Sequence, residues 1–225
     1  MAGSFPTSGA ELDAEALTRL LRSQHPGVTV TGVEVESVHE FGEGDVSTAG
    51  RATLVIHHDG GAHLPKRMVV KVARPDLPAT ALYENEVAVY EHLRGELDIE
   101  TPRCFGTVFD PATGTFGLAL EDLGVRGARF GDVELEVPLD SIRSVLAQAA
   151  RLHGTYWEGA RLHDDLSWLQ AHTSGDLHLL FSHPDLAPAL IREQVATVQF
   201  KAEILSSVGQ ELADLVAQTR VVQSH

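Results

Sequence analysis

Cysteine and asparagine are almost missing from this 225-residue chain, with Cys104 and Asn85 the only residues of each kind. A single cysteine excludes an internal disulfide and any zinc site built on several thiolates, and it suits a reducing compartment. Basic residues are scarce as well: 17 Lys and Arg face 32 Asp and Glu, a formal charge of −15. That balance argues against a nonspecific grip on nucleic acid or on an anionic membrane, so neither is expected as a partner. The opening residues MAGSFPTSGA lack the basic start and apolar centre of a secretion signal, and no later apolar run approaches a membrane span. A cytoplasmic location is expected. The 12 histidines are scattered: His57-His58 and His63 at one turn, His172, His178 and His183 further on, none in register with a carboxylate or cysteine partner. No metal site is expected from them.

Hydrophobic residues make up 43% of the chain, enough for a sizeable core. Residues 11 to 23, ELDAEALTRLLRS, carry Leu12, Ala16 and Leu20 at helical spacing and are stopped by His25-Pro26-Gly27. Strands are predicted over 28–38, 51–58 and 67–73, joined by glycine-containing connectors that favour consecutive antiparallel pairing. The period then changes. In ALYENEVAVYEHLRG, Leu82, Glu86, Tyr90 and Leu93 recur on one helical face. RCFGTVF (103–109) and TFGLAL (115–120) flank the turn sequence DPATG and read as a hairpin. After the polar connector 121–138, Leu139, Ile142, Val145, Leu146, Ala149, Leu152 and Tyr156 form an apolar helical stripe. A further helix is predicted over roughly 190–219.

Chemistry enters with MVVKVARPD, residues 68–76, where Lys71 interrupts a run that otherwise reads as a buried strand. A buried ammonium is costly unless an acid or anion answers it. Two readings stay open from spacing alone. The lysine stem packs while the amine reaches outward, or Lys71 meets Glu86, fifteen residues on, which holds the ammonium toward a bound phosphate. Gly42, Gly44, Asp45, Ser47 and Thr48 occupy the turn between the first two strands, where amides and hydroxyls can approach a polyphosphate. That turn is neither a P-loop nor a dinucleotide fingerprint. Glu121, Asp122 and Leu123 end the strand FGLALEDLG, as an ordinary polar exit or as groups bordering an adenine edge. In RLHGTYWE, His153 reads as a packed or capping histidine, and Tyr156 and Trp157 as core anchors. Cys104, beside Phe105, reads as a buried thiol, and no Gly-x-Ser-x-Gly nucleophile turn is present.

VVKVARP, YENEVAVYEHL, LALEDL and AARLHGTYWE, in that order over about residues 28 to 160, resemble the kinase-like small-molecule phosphotransferases. The group includes the aminoglycoside and choline phosphotransferases, and the resemblance is strongest to the ecdysteroid-kinase-like or CHK-kinase-like branch. It implies an α+β, protein-kinase-like fold: an N-terminal antiparallel sheet lobe with one glutamate-bearing helix over residues 1–124, then a helical C-terminal lobe from 125 to 225. It further implies ATP with magnesium, and transfer of the terminal phosphoryl group to a hydroxyl of a small-molecule acceptor. By that carry-over Lys71 holds the phosphates, Glu86 orients Lys71, the 42–48 turn covers the phosphates and Glu121 to Leu123 border adenine.

The family's second half departs. Its catalytic loop is of His-Gly-Asp type with a metal-binding asparagine five residues after the aspartate, followed later by a second metal-binding aspartate. Here His163-Asp164-Asp165 puts Gln170 at that offset and His183-Pro184-Asp185 puts Leu190 there, while Asn85 lies in the glutamate helix. No catalytic residue and no magnesium ligand is assigned. The expectation is a truncated phosphotransferase with a partial helical lobe, prone to self-association through the unfinished face. The alternatives are a degenerate kinase-like nucleotide-binding or scaffold protein, or a domain with another role.

Overall fold

The strand periodicity and turn chemistry produce one five-stranded antiparallel sheet, seen in a computed structural model that describes residues 4–39, 48–75, 80–130 and 137–170. The strands are β1 (Thr29–His39), β2 (Ala49–Asp59), β3 (Arg67–Ala73), β4 (Cys104–Asp110) and β5 (Thr115–Glu121), in the spatial order β1-β2-β3-β5-β4. The first three pair consecutively, as their short glycine-containing connectors favour. The last hairpin joins through its second strand, β5 lying against β3. Its turn is held by Asp110, whose carboxylate accepts from the Ala112 amide at 2.9 Å and the Thr113 hydroxyl at 2.9 Å, with Gly114 at φ 67° closing it. The helices are α1 (Ala14–Arg22) before the strands, α2 (Thr80–Ala88) between β3 and β4, and α3 (Leu139–Tyr156) after them, so the architecture is mixed α+β with an antiparallel sheet. Residues 171–225, including the predicted 190–219 helix, lie outside the described residues, as do Gly42, Gly44, Asp45 and Ser47.

Two cores form, one on each face of the sheet. Asp13 caps α1 by accepting from the Ala16 amide at 2.8 Å, and the helix buries Ala16, Leu17, Leu20 and Leu21 against Leu54, Ile56, Met68, Val70 and Val72. On the opposite face α2 buries Tyr83 and Val87 with Phe116, Leu118 and Leu120. The inward positions of α2 differ from the predicted face: Leu82, Glu86 and Tyr90 flank the contact rather than centre it, because the helix rolls its Tyr83–Val87 line onto the sheet. Past Ala88 the helix loosens into a π turn, Val89–Leu93, which shifts the phase and buries Leu93.

α3 has no buried residue, and Leu139, Ile142, Val145 and Leu146 are 44–67% exposed. Its C-terminal turn does touch the rest: Leu152 and Tyr156 line a small cleft with Leu97 and Ile99. Two expectations fail there. Of the two readings of His153, packed or capping, the packed one fails, since it is exposed in the last turn of α3, and Trp157, expected as a core anchor, is 74% exposed because the chain turns extended at that residue (φ −59°, ψ 122°) and leaves the helix. No helix among the described residues is long and apolar enough to cross a membrane.

The seat of α1 depends on Gly106, since a Cβ there would run into the Leu20 carbonyl, a backbone atom with no room to yield. Gly106→Ala is expected to lower stability by about 1–3 kcal/mol. An unchanged urea midpoint would show that α1 does not sit this tightly on β4.

Candidate functional site

β3 is the middle strand of five, and its side chains alternate between the two cores. Met68, Val70 and Val72 belong to the α1 side and are fully buried or nearly so. The partly buried Val69 and Lys71 take the other parity and share the α2 side with Leu118 and Leu120, their partners across the β3–β5 ladder. This is how a lysine occupies a strand that reads as apolar: only one face is sealed, and Lys71 uses the other.

Lys71 is answered there by Glu86 of α2. The ammonium donates to both carboxylate oxygens, Nζ to Oε1 at 2.5 Å and Nζ to Oε2 at 2.7 Å. The side chains keep 21% and 31% of their exposure, so the pair is neither sealed nor fully solvated. Losing one partner of such a pair costs about 1–3 kcal/mol, between the exposed and buried extremes. Of the two readings of Lys71, the structure brings it to Glu86. Partial exposure also leaves the ammonium, with three donors, able to meet an anion from the solvent side.

α2 is held in place by Tyr83, one turn before Glu86. Its ring stacks on Phe116 with centroids 4.2 Å apart and planes 10° from parallel. Its hydroxyl donates to the Thr48 carbonyl at 2.7 Å and accepts from the Arg74 amide at 2.9 Å. Tyr83 thus ties the helix to the entrance of β2 and the exit of β3 at once. The sequence offered no signal for it beyond an aromatic residue next to the predicted face. Tyr90, a turn beyond Glu86, has its hydroxyl pushed up to about 12, by burial first and by the negative charge of Glu86 second. It stays a neutral donor at any physiological pH. Glu91 leaves the site altogether and accepts from the buried Thr107 hydroxyl at 2.5 Å.

The remaining predicted residues divide. Thr48 stands at the mouth of β2, its carbonyl taken by Tyr83, while Gly42, Gly44 and Ser47 lie outside the described residues. Glu121 pairs with Met68 across the ladder, three positions along from the Lys71–Leu118 pair, or about 10 Å along the strand. Its amide donates to the Arg103 carbonyl at 2.8 Å. Asp122 is nearly buried and fully committed: Oδ1 caps the turn Leu123–Arg126 through the Gly124 amide at 2.8 Å, and Oδ2 pairs with Arg67 at 3.2 Å. The Asp122 and Leu123 carbonyls accept from the Val125 amide at 3.2 Å and the Ala128 amide at 3.1 Å. A ligand edge at this end would share groups already in use. A groove of about 430 Å³ opens here, lined by Lys66, Arg67, Arg103, Phe105 and Asp122, but Lys71 does not line it.

Three further positions complete the face and were not singled out in the sequence. Arg51, Thr53 and Val55 of β2 stand opposite Lys71, Val69 and Arg67. All three are at least partly exposed, so an open strip runs across β2 and β3 beside Lys71.

Family models, curated proteins and solved structures yield no match to this chain. What the site can do is read from its own geometry. Among the described residues no three His, Cys, Asp or Glu side chains gather as a metal centre. Asp165, part of the His163-Asp164-Asp165 candidate, is held by Arg161, which also binds Glu96 at 2.6 Å, and both carboxyls are lowered chiefly by those hydrogen bonds. Burial pushes the Cys104 thiol up, so it is not a nucleophile activated as a thiolate.

Tyr83→Phe keeps the ring stack and removes the hydroxyl's bonds to Thr48 and Arg74. A loss of about 1–3 kcal/mol in urea unfolding is expected. Wild-type stability in that variant would remove the hydroxyl as the anchor of α2.

Proposed function

We propose that the α2 side of the sheet is an ATP-phosphate site, in a lobe of the kind that begins the kinase-like small-molecule phosphotransferases. The Lys71–Glu86 pair carries this reading. An ammonium held by a carboxylate from a separate helix is fixed in direction at no cost when the ligand arrives, and phosphoryl oxygens are the anions that such a fixed point charge suits. Support also comes from the order of elements, three strands, a helix and a hairpin, and from the open strip of Thr53, Val55 and Val69 beside the lysine. Glu121 to Leu123 are placed at the adenine end by resemblance alone.

ATP fits the residues present in two respects: a held cation, and a strip of partly exposed side chains, Thr53, Val55 and Val69, beside it. Bound there, it supplies a transferable terminal phosphoryl group, for which a hydroxyl of a small-molecule acceptor is the proposed recipient. Magnesium does not find a ligand set among the described residues, and no step is drawn through it. The roles of proton acceptor and metal-binding asparagine have no candidate, since Asn85 sits on α2 itself. Nucleotide binding is therefore the activity proposed for this chain. An ATP ligand and a lone, partly buried cysteine both suit the cytoplasm.

Titration calorimetry with ATP and magnesium is expected to show binding that weakens on the order of tenfold in Lys71→Ala, from the loss of a charge-assisted contact. Equal affinity in the two proteins would remove Lys71 from the site.

A second reading, a scaffold that self-associates, is favoured by one observation. Val145 and Leu146 are 67% and 62% exposed on the same helix. Light scattering after size exclusion is expected to show a concentration-dependent mass that Leu146→Glu reduces to that of a monomer. A monodisperse wild-type monomer would count against it.

A further inference from the structure

Resting on the ATP reading above, we propose that Arg51 is a second phosphate-binding side chain of the Lys71 site, one that meets the outer phosphates of a nucleoside triphosphate. Three basic residues lie in one cross-strand row: His39 of β1 stands opposite Arg51 of β2, which stands opposite Lys71 of β3. Directly opposed residues of an antiparallel ladder share a face, so the three side chains leave the same side of the sheet at intervals of about 4.8 Å. Arg51 is exposed there between the buried Gly50 and Ala52, which face the other core.

The Arg51–Lys71 pair in it is unfavourable in itself, because like charges directly opposite one another repel. Among the described residues the one carboxylate bonded to it, Glu86, spends both oxygens on Lys71 and leaves the excess charge at Arg51. The chain as a whole has nearly twice as many acids as bases, yet at this face it sets arginine beside lysine. An elongated anion lying across β3 and β2 relieves the repulsion. The guanidinium fork then adds paired hydrogen bonds to phosphate oxygens that an ammonium cannot supply. A single phosphate is met by Lys71 alone. A triphosphate, extending toward β1, reaches Arg51 as well, so the row discriminates by phosphate number.

The test titrates the full 225-residue chain with ATP and with AMP at low ionic strength, for wild type, Arg51→Gln, Arg51→Lys and the same-strand control His57→Gln. Wild type is expected to prefer ATP. Arg51→Gln is expected to weaken ATP on the order of tenfold while leaving AMP within about twofold, with Arg51→Lys between them and the control unchanged. ATP affinity unaltered in Arg51→Gln overturns the role of Arg51 and leaves the Lys71 site standing, as does an equal loss for ATP and AMP. Absence of ATP binding in wild type overturns the ATP reading and this inference together. Should Arg51→Gln fail to fold, Arg51→Lys decides: weaker ATP with unchanged AMP supports the fork, and no change in either overturns it.

Discussion

Everything on the α2 side of this sheet depends on a charge placed in a central strand. β3 is flanked by β2 and β5, and on the α1 side it is sealed by Met68, Val70 and Val72. Burying those three side chains contributes about 1.5–3 kcal/mol each, which fixes the strand's parity and so fixes where Lys71 points. A slip of one residue would drive the ammonium into the α1 core and bring the valines out. The apolar core on one face thereby aims the charged group on the other.

Glu86 answers that charge from a different element, and the answer is only as good as the placement of α2. Propensity does not supply it. α2 is nine residues long, too short to be stable as an isolated helix, and it loosens into a π turn after Ala88. Placement comes from Tyr83, which joins the entrance of β2, the exit of β3 and the ring of Phe116 through one side chain. Both elements flanking the Lys71 strand are thus tied to the helix that carries Glu86. Motion of α2 would change the direction of the ammonium and the tightness of the Thr48 corner together.

Much of this was legible in the sequence because it is local. The apolar run around Lys71, the DPATG turn and the fifteen-residue interval between Lys71 and Glu86 each show within a short window, and the structure reproduces the strands to within a residue or two. What was not legible is non-local. Tyr83 binds residues 35 and 9 positions away through one hydroxyl, so no periodicity announces it. Arg51 becomes a neighbour of Lys71 only once the β2–β3 register is known. The apolar stripe of α3 predicts a helix correctly but not its burial, and Trp157 was misread because size and hydrophobicity say nothing of a chain turning away at a helix end. Asp122, which read as a polar strand exit or as an acid bordering a ligand, also caps a turn and pairs with a cation, engagements set by Gly124 two residues ahead and by Arg67 from another strand.

The charge balance sharpens what a phosphate ligand would encounter. At −15 the chain repels a polyanion at long range, but that field fades within about 8 Å at physiological salt. Contact is a different regime. There the proposed ligand would meet Lys71, set in direction by Glu86, and Arg51 one strand away, with the bonded carboxylate already engaged. Acidity of the whole and a local pair of cations at Arg51 and Lys71 are therefore compatible, because screening separates their ranges. Added salt would then act in opposing senses, weakening the remote repulsion while loosening a contact to the exposed Arg51 more than one to the partly covered Lys71. On the proposed reading, discrimination between long and short phosphate chains would rest on the more exposed of the two cations, and so would be the property of this face most sensitive to ionic strength.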